Sequence, residues 1–311
     1  MDNSAKIPFI INIHVEPDER LIPFRKRRWY GYENLHAYLN SRRSELENAT
    51  GSPVKFNWLF RLDYQIEHVY GSADWALHEY KALIEQSLQA GDSFGVHIHS
   101  WRPCKKLFSK TWVADFTDSD WIESCVNLAH NCYINYFKRS PSYFSFGDHY
   151  MSESVLNQLS HLGYRCDATM YPGRPAIKRF VENEISIGIL PSFAETPRHP
   201  FKVSLNTVAD QATKNTLWEI PVSVASSKDS EQTYPDKLLL GIPFQKIPQI
   251  IQDNLSLPSP YLFAEVRTDV RMDRYNRSQF DQALDYLIQH PLAAKMQYVS
   301  VDQFVDHLDA H

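Results

Sequence analysis

The stretch Gly95-Val96-His97-Ile98-His99-Ser100-Trp101 decides how this chain is read. It follows Tyr80 to Ala90, where Leu83, Ile84 and Leu88 recur at helical spacing, and the Gly91-Asp92 pair that ends this helix. Ser93-Phe94-Gly95-Val96 is a short apolar run that reads as a buried strand, and the two histidines stand at its end. Residues i and i+2 of an extended chain point the same way. His97 and His99 therefore project into one space, where two neutral imidazoles can grip a metal ion. The plainer alternative is a pair of surface or core histidines without a ligand.

Strands and helices alternate around that stretch. The first strand, Pro8 to Glu16, sets Asn12, His14 and Glu16 on one face and Ile11, Ile13 and Val15 on the other. A polar face on a buried strand is costly unless it has a use. A helix is expected over Tyr32 to Leu46, then a strand from Lys55 to Asp63 that puts Arg61 and Asp63 together at its C-terminal end. After the histidine strand comes a loop rich in aromatics (Trp101, Phe108, Trp112, Phe116), then a helix from Ser119 to Lys138 capped by Asp118 or Ser119. The fourth strand, Tyr143 to Phe146, ends in Gly147-Asp148-His149, and helix Glu153 to Leu162 closes on Gly163. Further strands are expected at Tyr164 to Asp167, Leu217 to Ser223 and Tyr261 to Val266, with a helix over Ser278 to Gln289 and a short strand from Met296 to Ser300. Between Arg174 and Leu217 the signals weaken, as in a long loop carrying substrate contacts. The alternation argues for one α/β domain over residues 1–311, with a parallel sheet wound into a barrel.

Composition narrows the function classes. A chain of 311 residues, 43% hydrophobic, can bury a large core, and a net charge of -5 leaves no nucleic-acid footprint. The run Arg25-Lys26-Arg27-Arg28 is the exception, either a solvated loop or a hold on a substrate phosphate or carboxylate. Cys104, Cys125, Cys132 and Cys166 show no CxxC spacing, which fits free thiols in a reducing compartment. No signal sequence opens the chain and no apolar run approaches the ~20 residues of a membrane span, so the cytoplasm is the expected address.

The order of a polar-faced first strand, GxHxHxW at 95–101, FGDxxMS at 146–152, LGYxxDATxxPG at 162–173 and LWEIPVS at 217–223 resembles the polysaccharide deacetylase (NodB-homology) family from residue 8 to about residue 305. The resemblance implies a distorted (β/α)7 barrel, a divalent metal (usually zinc) held by one carboxylate and two histidines, and removal of an N-acyl group from an amino sugar. Glu16 matches the carboxylate ligand, and His97 and His99 are the available imidazoles. Asp167 matches the aspartate that supports the family's catalytic histidine. The chain departs from the pattern in several places. His14 stands where the basic aspartate is expected, the second histidine follows the first by two residues instead of four, the arginine near the fourth strand is missing, and the seventh strand carries no histidine.

Amide hydrolysis needs a nucleophilic water, a base, an oxyanion stabiliser and an acid for the leaving amine. Asp63 or His14 could take the water's proton, and His149 beside Asp148, or Glu265, could return one. Each has a structural alternative: Asp63 could pair with Arg61 or Arg267, His14 could be a fourth ligand or hold Glu16 in place, Asp148 could cap the helix after Ser152, and Asp167 could cap a turn. Arg61, Trp101, Tyr171 and Arg267 are candidate substrate contacts, the rings as flat covers for sugar C–H faces, helped by Trp112, Tyr143 and His149. The expected substrate is a small molecule or oligosaccharide, such as a nucleotide sugar or polysaccharide precursor. The competing readings are a barrel that kept its shape and binds glycan or regulates, and an amidase such as a deformylase.

Overall fold

The computed structural model describes residues 6–19, 22, 28–106, 109–179, 186–204, 217–226, 234–241, 243–269 and 274–310. Residues 25–27 of the basic run, and 180–185 and 205–216 of the expected long loop, lie outside that set. The strands in chain order are β1 (Ile7–Val15), β2 (Asn57–Arg61), β3 (Ser93–Ile98), β4 (Trp101–Lys106), β5 (Ser109–Asp115), β6 (Tyr143–Phe146), β7 (Cys166–Asp167), β8 (Ile177–Arg179), β9 (Ser186–Leu190), β10 (Phe201–Lys202), β11 (Trp218–Glu219), β12 (Leu262–Arg267) and β13 (Met296–Tyr298).

Every barrel strand expected from the sequence forms, though β7 and β11 are two residues long. They pair in parallel in the order β11-β7-β6-β3-β2-β1-β12, so the last returns to lie beside the first. β1 shows why this sheet is central. Its residues are mostly β-branched or aromatic, all but Pro8 are buried, and it pairs with β2, β12 and β13. The sheet does not close by strand pairing between β11 and β12. Pro221 has no N–H to continue a ladder, and the gap is filled by irregular backbone. Ser223 N–H donates to Phe263 O (3.1 Å), Glu265 N–H to Leu238 O (2.9 Å) and Leu240 N–H to Glu265 O (2.9 Å). The result is a curled, distorted α/β barrel.

The helices cover the outside. Tyr30–Thr50 runs beyond its expected ends and stops at Gly51, whose φ of 65° suits a residue without Cβ. Asp118 caps Ser119–Phe137 by accepting from Trp121 N–H (3.0 Å). Ser152 caps Glu153–His161 by accepting from Val155 N–H (3.2 Å), which leaves Asp148 without a capping role there.

Two expectations need correction. The aromatic stretch after the histidine strand is a hairpin of β4 and β5, which joins β9 and β8 in a second, four-stranded sheet. Trp101, Trp112 and Phe116 hide the strand alternation because they pack on the barrel (Phe108 lies outside the described residues), and β8 and β9 likewise put strand structure into the expected long loop. A helix, Val301–Ala310, follows β13. One apolar core, including Trp29, Trp58 and Trp101, runs through these layers. No helix among the described residues is long and apolar enough to cross a membrane.

Candidate metal and catalytic site

Parallel strands deliver their C-terminal ends to one face, and a cavity of about 240 Å³ opens there. β1 presents His14 and Glu16 to it, β3 presents His97 and His99, and the turn after β6 adds Asp148 and His149. β12 adds Glu265 and Arg267. Tyr171, Arg174 and Lys237 come from irregular segments.

The tightest convergence is at Glu16. His99 Nε2 lies 3.2 Å from Glu16 Oε2 and 3.2 Å from His97 Nε2, and His97 Nε2 lies 3.8 Å from Glu16 Oε1. The far sides of both rings are tied to groups that only accept. His97 Nδ1–H donates to Ser145 O (2.9 Å), and His99 Nδ1–H donates to Asp148 Oδ2 (3.1 Å). In the neutral rings both Nε2 atoms are therefore lone pairs, facing each other and a carboxylate oxygen. Such a cluster needs a cation at its centre, either a proton or a metal. Ligand atoms ~2.0–2.1 Å from a tetrahedral zinc stand roughly 3.3 Å from one another; the two 3.2 Å separations match that, and the 3.8 Å one is wider. Gly147 makes the approach possible: a Cβ there would stand 2.2 Å from the His99 ring.

The electrostatics agree. Burial pushes the Glu16 carboxyl up, but Arg267 and the two histidines outweigh it and hold it well below the usual range. Burial, with His14 beside it, holds His97 neutral. Burial and Arg61 push His99 down, yet Asp148 and Glu16 raise it overall, as expected of a ring between two carboxylates. His14 stacks on His97 with ring centroids 4.3 Å apart, and burial lowers its pKa to about 4. One nitrogen of His14 lies within 4.8 Å of ligand atoms of both Glu16 and His97, so these three also form a group that could hold a metal ion. Asn12 Nδ2–H donates to its Nε2 (3.2 Å).

A second cluster lines the same cavity. His149 Nδ1–H donates to Thr169 O (2.6 Å), so its Nε2 accepts, here from Lys237 Nζ at 2.6 Å. Lys237 also donates to Glu265 Oε2. Burial, reinforced by Lys237, lowers the His149 pKa to about 3, while Lys237 overcomes burial to bring Glu265 to about 2. His149 and Glu265, expected as proton donors, are thus proton acceptors in this arrangement. Lys237 was not legible in the sequence, since it follows no strand end. Arg174 directly follows the Tyr171-Pro172-Gly173 turn, a rim position where it could have been noticed. It donates to Asp148 O (3.0 Å), His149 O (2.6 Å) and Pro191 O (3.1 Å). It thereby supports a turn in which both Asp148 (φ 56°) and His149 (φ 51°) are left-handed.

Glu16, His97, His99, Asp148, His149, His14, Tyr171 and Arg267 all reach the cavity. Four expected site residues do not. Asp63 is fully buried, accepts from Gln65 N–H and Ile66 N–H as the cap of helix Tyr64–Tyr70, and binds Arg61 Nε at 2.6 Å. It also receives His99 N–H (3.1 Å), so it props the ligand strand from behind. Arg61 lies under Glu16, its Nη1 3.9 Å from Oε2, with no exposure. Trp101 is buried in the core at the start of β4. Asp167 accepts from Thr169 Oγ1 (2.6 Å) and stands opposite Glu219, both fully buried; burial raises Asp167 to about 6, and burial with Asp167 beside it raises Glu219 well above the usual range. Trp112 and Tyr143 also miss the cavity, Trp112 edge-on to His68 and Tyr143 in the core.

No protein-family model and no curated protein sequence matches the chain. Solved structures do. A protein from Mycobacterium smegmatis described as a polysaccharide deacetylase matches with a TM-score of 0.51 and 10% identity over 100% of this chain and 93% of that one. One from Pseudomonas aeruginosa, described likewise, matches at 0.52 and 10% identity over 99% and 92%. The chain has the polysaccharide deacetylase fold. An allantoinase structure matches as well, at 0.55 and 11% identity over 100% and 92%, so this fold carries more than one activity and leaves the substrate to the site.

Proposed function

We propose that the protein is a metal-dependent hydrolase that removes an N-acyl group from an amino sugar, either free, nucleotide-linked or in a polysaccharide precursor. The convergence of Glu16, His97 and His99, with both histidine tautomers set by Ser145 and Asp148, is the observation that carries this reading. The N,N,O donor set suits zinc and leaves room for a further ligand. Bound there, zinc would supply a Lewis acid for the acyl carbonyl and a water acidified toward a pKa of ~7. Asp148 orients His99, and Asp63 anchors the backbone of the same residue. His14, neutral and next to Glu16 and His97, is near enough to join them around the metal, while Tyr171 and Arg267 line the space for the substrate. The cavity, about 240 Å³, is below the ~300–1,000 Å³ of common ligand pockets and suits one ring-sized group. A cytosolic sugar precursor fits that size better than a finished polymer.

The test is metal analysis of protein purified without chelators, with acetate release from N-acetylated amino sugars, free and nucleotide-linked, as the activity readout. About one zinc per chain and zinc-dependent acetate release are expected. A protein that binds no zinc at micromolar concentration would be a barrel without this chemistry.

A further inference from the structure

Cleaving an amide leaves a basic amine, so the departing nitrogen must receive a proton. Neither His149 nor Glu265 has one to give: the His149 Nδ1–H is committed to Thr169 O, its Nε2 accepts from Lys237, and Glu265 is a carboxylate on the same ammonium. We propose that Lys237 is the catalytic acid, passing a proton from Nζ to the leaving nitrogen of an acylated amine; this rests on the hydrolase reading above.

Three observations converge on it. Lys237 is half-buried and reaches the cavity, with 19% of its side chain exposed. Two acceptors, His149 Nε2 and Glu265 Oε2, fix the direction of the ammonium and leave its third N–H for a ligand, with the Tyr171 ring centroid 5.5 Å away. A lysine present only to neutralise Glu265 would need no imidazole acceptor. Third, β12 sets Glu265 opposite Asn12 and Arg267 opposite His14 in parallel register, so the carboxylate that anchors Lys237 shares a face with the strand that presents Glu16. Burial lowers the Lys237 pKa, which makes its proton easier to give.

In the step itself, the C–N bond of the tetrahedral adduct breaks with its electron pair on nitrogen. That nitrogen takes H⁺ from Nζ, the neutral amine departs, and the neutral lysine regains a proton from solvent. Glu265 and His149 position the donor.

Leaving-group dependence tests this without knowledge of the natural substrate. Zinc-supplemented wild type, Lys237→Met and Lys237→Arg would be assayed on 4-nitrophenyl, phenyl and ethyl acetate, whose leaving groups are progressively more basic. The loss in both variants should grow along the series, reaching about 10²–10⁴-fold on ethyl acetate, while zinc affinity by calorimetry stays at the wild-type value. Arginine keeps the charge on Glu265 but gives up its proton far less readily, so it carries the test if the methionine variant does not fold. An equal loss on all three esters, or a fall in zinc affinity, overturns the role of Lys237. Wild type inactive on every ester and without zinc overturns the hydrolase reading itself.

Discussion

The two clusters on the cavity wall are built from similar residues and are in opposite states. Around Lys237 the charges are matched and only the ammonium's third N–H is kept for a ligand: Thr169 O takes the His149 proton, and His149 and Glu265 take two from the ammonium. Around Glu16 the donors point outward, to Ser145 O and Asp148, and three acceptor atoms are left facing inward. The first cluster is electrically complete; the second is complete only with a cation. A pair of histidines on a rim thus says little until the partner on the far nitrogen is known, because that partner decides whether the near nitrogen holds a proton or a lone pair.

Breaking the incomplete cluster should have the largest effect. His97→Ala and His99→Ala are each expected to abolish zinc binding in a calorimetric titration, whereas His14→Ala, which removes a neighbour, should weaken it by about 10–100-fold. Equal loss in all three would make His14 a ligand. Next comes the support beneath. Arg61→Met leaves Asp63 buried without its guanidinium and should cost about 3–5 kcal/mol in urea unfolding, since a fully buried carboxylate loses its charge partner. Asp148→Asn keeps the shape but weakens the hold on His99, and zinc affinity should fall about 10–100-fold; an unchanged affinity would show that the tautomer needs no help.

The smallest effect concerns the Asp167–Glu219 pair, which resembles neither cluster because it sets two buried carboxyls side by side. Carboxyls raised in the fold bind protons more tightly than the unfolded chain does. Their contribution is therefore fully present below the ordinary carboxylate pKa values of 3.8 and 4.5 and is lost as pH rises through the raised values, about 6 for Asp167. Glu219→Gln supplies a permanent donor to Asp167 while its Oε1 can still accept from Met170 N–H. The melting temperature should rise at pH 8, by the equivalent of roughly 1 kcal/mol, and gain little at pH 4.

The barrel was legible because its strands are apolar runs ending in polar residues, and the pairing of Glu16, His97 and His99 follows from the two-residue period of a strand. What sequence spacing could not show was direction in depth. Asp63 and Arg61 occupy a strand's C-terminal end as the rim residues do, but the helix starting at Tyr64 needs Asp63 as its cap, which turns both away from the cavity. Asp167 is hidden for a related reason: β11 brings Glu219 beside it, a partner some fifty residues away in sequence. Lys237 arrives on irregular backbone that fills the gap after Pro221, where no periodicity exists to read.

The turn of Asp148 and His149 joins the two halves of the cavity through a single peptide bond. One residue leans on His99 and the next receives Lys237, both in left-handed backbone clamped by Arg174. Neither cluster can be shifted independently of the other. A loop grafted here to change specificity would have to carry both side chains in the same handedness, and a one-residue insertion would detune the two together.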